Sequence, residues 1–226
     1  MIISDNIESV VLGIVREYLS KKPFFSMKDI VVFVNNRTRQ NPDINKNRIE
    51  IIIKSLIKKR VIISGNKLMK KDIIENPTRN EIYKYIKQNP GKNINEIMKK
   101  HKLGSNLALW HLSALEKFQF IRSKKIRNRC VFFEFDSNPK YDEIYFFMRN
   151  KIVQTIIKFM EDENRALKIT EIADGLKKNH NTVKKYLETL IRLKLVETEK
   201  KKEKSRNLYK LNQERYLEIG KLVRRG

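Results

Sequence analysis

Residues 103–121 read Leu103-Gly104-Ser105-Asn106-Leu107-Ala108-Leu109-Trp110-His111-Leu112-Ser113-Ala114-Leu115-Glu116-Lys117-Phe118-Gln119-Phe120-Ile121. The stretch holds a tight turn, a helix and the opening of a strand. Ala108, His111 or Leu112, Leu115 and Phe118 recur at helical spacing and define one apolar face. Gly104 is free to take positive φ in the turn, and Ser105 can cap the helix through its hydroxyl. Upstream, residues 76–78 (Asn-Pro-Thr) enter an earlier helix carrying Ile82, Tyr83 and Ile86. Asn89-Pro90-Gly91 stops it, because neither proline nor glycine continues a helix. Asn93 or Asn95 then caps a second helix through Ile94, Ile97 and Met98. Downstream, Cys130-Val131-Phe132-Phe133-Glu134-Phe135 is the return strand of a hairpin begun at Phe120-Ile121.

The same design recurs. Asn181-Thr182-Val183-Lys184-Lys185-Tyr186-Leu187 follows Asn106-Leu107-Ala108-Leu109-Trp110-His111-Leu112 at an offset of 75 residues. Ile169-Thr170-Glu171-Ile172-Ala173 follows Ile94-Asn95-Glu96-Ile97-Met98 at the same offset, and Arg149-Asn150-Lys151-Ile152 follows Arg79-Asn80-Glu81-Ile82 at 70. Leu190, Leu193, Leu195 and Val196 fall on Leu115, Phe118, Phe120 and Ile121. Residues 207–211 form the return strand of this later hairpin. A weaker repeat precedes both. Ile7, Val10, Val11, Ile14, Val15 and Tyr18 line one helix, residues 27–34 form another, and Ile49, Ile52, Ile53 and Leu56 point inward from a third. Its connection, residues 35–45, is long and polar. Residues 61–69 read there as a short hairpin turning at Gly65-Asn66.

The sequence therefore predicts a mainly α fold with short β-hairpins, in three units: a divergent one over 1–75, a second over 76–138, and a third over 139–226. The third includes a connecting segment and a final helix over 213–223. From Tyr141 to Met148 the apolar spacing runs on into Ile152, Ile156 and Phe159, which reads as one long connecting helix over about 141–160. Its aromatic side can pack on the second unit, on a second copy of the chain in a homodimer, or on another protein.

Composition narrows the partners. Lys and Arg total 50 against 26 Asp and Glu, a net charge of +24, spread as +7, +8 and +9 over residues 1–75, 76–138 and 139–226. So even an excess repels itself in a compact state unless a polyanion is the partner, and nucleic acid is the default polyanion. A solvated lysine coat is the plainer alternative. Hydrophobic residues make up 40 % of the chain, enough for a core. One cysteine, Cys130, permits no intrachain disulfide, and the absence of a leader-like start points to a reducing, cytoplasmic, nucleoid-associated setting. No segment reaches the ~18 uncharged apolar residues that span a membrane.

Helix, helix, tight turn, helix and hairpin is the winged helix-turn-helix order. The third helix of such a unit fits the major groove of double-stranded DNA, and the hairpin, or wing, carries cations to the flanking backbone. In the second unit the third helix offers Ser105, Asn106 and Trp110. The wing there offers Lys124, Lys125, Arg127 and Arg129, together with Arg122. The third unit is denser in the same place, with Lys177, Lys178, Asn179, His180, Asn181, Thr182, Lys184 and Lys185. No carboxylate occurs from 177 to 185. Asn reads adenine edges bidentately and Lys reaches phosphate or guanine. Its wing holds Lys200, Lys201, Lys202, Lys204 and Arg206, diluted by Glu197, Glu199 and Glu203.

Residues 76–211 resemble archaeal transcriptional regulators with tandem winged helix-turn-helix domains. The resemblance rests on Asn89-Pro90-Gly91 with Ile97, on Trp110 through Phe118 with Phe120-Ile121, and on His180 through Leu187 with Leu195-Val196. It implies sequence-specific DNA binding by the third helices and wings. Winged helices also serve as adaptors in multiprotein assemblies, membrane-remodelling or RNA polymerase-associated, and phosphate contacts do not separate DNA from RNA.

Plainer roles compete at single residues. His111 stands where the third unit has Tyr186, which favours packing. His101 and His180 lie near turns, touching phosphate or only solvent. Trp110 contacts a groove or packs on the connecting helix. The three histidines and Cys130 lack metal-ligand spacing, so no metal is expected. No GxxxxGK[ST], GxGxxG, HExxH or GxSxG motif is present, so neither an enzyme nor a cofactor is expected.

Overall fold

A computed structural model describes residues 2–199 and 207–224, with side chains over 6–199 and 207–221. The chain packs as two compact units, residues 1–84 with 97–122 and residues 85–96 with 123–226. The architecture is mainly helical, with two small antiparallel sheets of three strands each among the described residues.

The first unit opens with α1 (Ile2–Lys21), α2 (Met27–Arg37) and α3 (Lys46–Lys58). Ser26 caps α2 by accepting the Asp29 N–H at 3.1 Å, and Asn45 caps α3 by accepting that of Arg48 at 2.9 Å. The periodic residues of the sequence form the core: Val11, Val15, Leu19, Ile30, Val34, Ile49, Ile53 and Leu56 are buried. Each such side chain contributes about 1.5–3 kcal/mol through removal from water.

The hairpin expected over 61–69 does not form. Ser64 and Gly65 turn instead toward residues 23–25. The Gly65 N–H donates to the Pro23 carbonyl at 2.8 Å, and the Ser64 hydroxyl exchanges hydrogen bonds with the Phe25 backbone. With Ile62, Ile63 and Met69 buried, the segment closes the core rather than extending as a wing. A short helix, α4 (Lys70–Glu75), leads to α5 (Pro77–Gln88).

Gly91 follows α5 with φ +80°, and its N–H donates to Phe132. β1 (Lys92–Asn93) then pairs with β3 (Arg129–Glu134), while β2 (Ile121–Ile126) flanks β3 on its other side. The first of these strands was not legible in sequence. Between them lie α6 (Ile94–His101) and α7 (Ser105–Lys117). Asn93 is the cap of α6: it accepts the Glu96 N–H, and Glu96 accepts that of Asn93, a capping box. Burial by itself raises the Glu96 carboxyl. The Asn93 N–H, Lys92 and Arg149 together outweigh that and hold it below its ordinary value.

The expected long helix over 141–160 is two helices, α8 (Asp142–Met148) and α9 (Lys151–Glu163). The Asn150 side chain caps α9 by accepting the Ile152 N–H at 2.9 Å, and Gln154 donates to the freed Met148 carbonyl. Arg149, in the break, donates to the Gly91 carbonyl and pairs with Glu96. The apolar side offered to a second chain is used internally. Phe147 packs with Ile126, Val131 and Phe133, and Val153, Ile156 and Ile157 enter the main core of this unit.

β4 (Leu167–Lys168), α10 (Ile169–Gly175), α11 (His180–Arg192), β5 (Val196–Glu199), β6 (Leu208–Leu211) and α12 (Gln213–Arg224) complete the unit, the sheet running β4-β6-β5. Ile172, Val183, Leu187, Leu190, Leu195, Val196 and Ile219 join the same core.

Candidate nucleic-acid interface

Position in the interface is set by the turn between α10 and α11. Lys177 adopts φ 51°, its N–H bonding to Asp174, while the Lys178 N–H reaches back to Ala173 at 2.9 Å. This left-handed C-cap halts α10 and re-aims the chain within two residues. Gly175 sits tightly beside it: a Cβ there would lie 2.5 Å from Cζ of Phe159, so the ring would have to shift. Asn179 then caps α11, accepting the Asn181 N–H at 2.9 Å. Its carbonyl oxygen is thereby committed to structure.

From that start α11 is two-faced. Val183, Leu187 and Leu190 are buried, whereas His180, Asn181, Lys184 and Lys185 are exposed and Thr182 half-buried. Lys177 and Lys178 are exposed beside them. The structure gives none of these four lysines an ion pair or side-chain hydrogen bond among the described residues. Four free cations thus surround a helix N-terminus, where backbone N–H groups and the helix dipole favour an anion.

The equivalent turn before α7 is built in the same way with different atoms. The positive φ falls on Lys102, at 54°, and not on Gly104, which has φ −69°. Gly104 is itself the N-cap, so Ser105 is the first helical residue and does not cap. Gly104 has no side chain to cap the first N–H groups of α7, and no side-chain cap bond forms there among the described residues. Ser105 and Asn106 are exposed there, as are Leu107 and Leu109, which give the helix a partly apolar outer face. Trp110 is 56 % exposed and carries the Arg79 guanidinium over its ring at 4.3 Å.

The second wing is largely committed. Lys124 pairs at 3.4 Å with Asp142, which is 1 % exposed. Arg127, at the tip with φ 53°, stacks on Phe147 and Tyr186 and donates to the Thr189 hydroxyl at 3.1 Å. The sequence offered both as phosphate contacts. Here buried Asp142 engages Lys124, and the aromatic pair on α8 and α11 engages Arg127, a juxtaposition that spacing does not encode. Lys125 and Arg129 remain exposed. Lys200, Lys201, Lys202, Lys204 and Arg206 of the third wing lie outside the described residues.

Sequence reasoning passed over Arg79. The repeat places it opposite Arg149, but nothing in the sequence separates the two: the Glu96 carboxylate that Arg149 pairs with is brought there only by the fold.

Residues 147–201 match the family described as winged helix-turn-helix transcription repressor, HrcA DNA-binding. That segment has the winged helix-turn-helix fold. It covers α9, α10, α11 and β5, the elements that build the lysine-rich face. Over 164 residues, 72 % of its length, the chain is 31 % identical to an uncharacterized HTH-type transcriptional regulator of Methanocaldococcus jannaschii. It spans about two-fifths of that relative, 41 %. Among the described residues no helix is long and apolar enough to cross a membrane.

Proposed function

We propose that the chain is a DNA-binding transcription regulator that seats the N-terminal half of α11 in the major groove of a duplex. The observation that carries this reading is the set of four exposed, unengaged lysines, Lys177, Lys178, Lys184 and Lys185, around Asn181 and Thr182. The lysines take backbone phosphates, and the amide and hydroxyl between them read base edges. The family match over 147–201 and the regulator-named relative support it from outside the geometry. In this reading winged-helix units over 76–138 and 139–226 follow a helical first unit over 1–75 that has no wing among the described residues, and the third unit makes the main contact. Lys125 and Arg129 of the second wing, with the cations of the third, add phosphate contacts. Ser105, Asn106 and Trp110 make the second unit's approach to the duplex, with Leu107 and Leu109 suited to thymine methyl groups.

The test is a salt titration of binding to a random duplex, a genomic fragment pool and single-stranded RNA. Replacing Lys184 and Lys185 with Ala is expected to flatten the slope of log K against log salt by about 0.9 for each phosphate that the two lysines no longer neutralise. An unchanged slope removes α11 from the interface. Equal retention of RNA at each salt concentration removes the duplex reading.

A further inference from the structure

We propose that Arg79, His111 and Trp110 form a receiving site for a phosphate group. Arg79 lies in the first turn of α5 and is 4 % exposed; its backbone N–H is taken by Asn76, but its guanidinium has no hydrogen bond or ion pair among the described residues. The Trp110 ring is what the charge rests on. His111, on α7, is also 4 % exposed, with Nδ1 unpartnered. The His111 and Trp110 rings meet edge to face at 4.9 Å.

A desolvated cation without a counter-ion is costly, and an indole face offsets only part of that cost. The fold treats the matching arginine differently: Arg149 has both Glu96 and the Gly91 carbonyl. At Arg79 no described residue of the chain supplies the anion. A phosphate supplies it. The guanidinium fork takes two oxygens, and Nδ1 of His111, as an N–H, donates to a third. Burial, then Arg79, hold His111 below its usual pKa, so it enters as a neutral donor and adds no repulsion. Trp110, more than half exposed, lies over the guanidinium on its open side. The phosphate belongs either to a small molecule or to a nucleic-acid backbone, and the site stands whether or not α11 reads DNA.

Trp110 is the single tryptophan of the chain, so its fluorescence reports the site directly. The full chain is titrated at constant ionic strength with sodium pyrophosphate and, separately, with a short duplex, reading Trp110 emission and the thermal midpoint. A saturable emission change with a rising midpoint is expected, and both are expected to vanish in Arg79→Met. That variant removes an uncompensated buried charge and should melt no lower than the parent without ligand. The pyrophosphate response should persist when Lys184 and Lys185 are both Ala, which separates this site from the α11 face. A response to pyrophosphate assigns a small-molecule phosphate, and a response to duplex alone, lost in Arg79→Met, assigns a backbone phosphate. Arg79→Lys keeps the charge, loses the fork and should weaken the response about tenfold. Flat titrations with both probes, or a response undiminished in the Arg79 variants, overturn the proposal.

Discussion

Gly91 shows how much one residue fixes. Its φ of +80° is a region that a side chain enters at a cost, and the Phe146 backbone lies 3.4 Å from where a Cβ would stand. Its N–H holds Phe132 and its carbonyl holds Arg149. Gly91→Ala is expected to lower stability by about 1–2 kcal/mol, read by chemical denaturation. The stop at Asn89-Pro90-Gly91 was legible because proline and glycine act locally. The burial of Arg79 was not, because it depends on Trp110 and His111, which reach it only through the fold. At the same scale, Asn181→Ala is expected to change which duplexes are retained more than how tightly random DNA is held, as measured by selection from a randomised pool. Its amide is exposed between phosphate-directed lysines and is free to meet a base edge.

Among the elements, the third helix of every repeat ends alike. Arg60, Gln119 and Lys194 each take positive φ after α3, α7 and α11, and the next N–H returns five residues to Leu56, Leu115 and Leu190, at 2.9 Å in each case. These are Schellman caps on non-glycine residues. Each carries the left-handed penalty, so Gln119→Gly is expected to stabilise the chain by about 0.5–1 kcal/mol, visible as a raised thermal midpoint. The repeated leucines were legible, but the cap was not, since Arg, Gln and Lys give no glycine signal. The capping box of α6 adds a pH dependence. Glu96 titrates below its unfolded value, so its contribution is complete above the unfolded carboxylate pKa and is lost as pH falls through the folded one. Glu96→Gln is expected to cost about 1 kcal/mol at neutral pH. That difference should vanish in acid, as followed by urea unfolding across pH.

For the molecule as a whole, net charge is a poor guide to which cations are available. Of the five cations offered by the second wing, Lys124 and Arg127 are held by Asp142, Phe147, Tyr186 and Thr189, all within one compact unit. Arg127→Ala is expected to lower stability by about 1–2 kcal/mol and to leave the salt slope of DNA binding nearly unchanged. Arg129→Ala is expected to do the reverse. Denaturation and salt titration of the two variants side by side decide between a wing that braces the fold and one that grips phosphate.

By itself the sequence determined the helical periodicities, the repeat at an offset of 75, the turn positions and the excess of positive charge, because these depend on neighbours a few residues apart or on simple sums. Tertiary structure alone decided that residues 61–69 close a core instead of pairing as a wing, that residues 141–160 break at Arg149-Asn150, and which lysines and arginines stay free. Each of those outcomes turns on a partner distant in sequence, Phe25, Glu96 or Asp142, whose nearness is a property of packing and leaves no mark on local spacing.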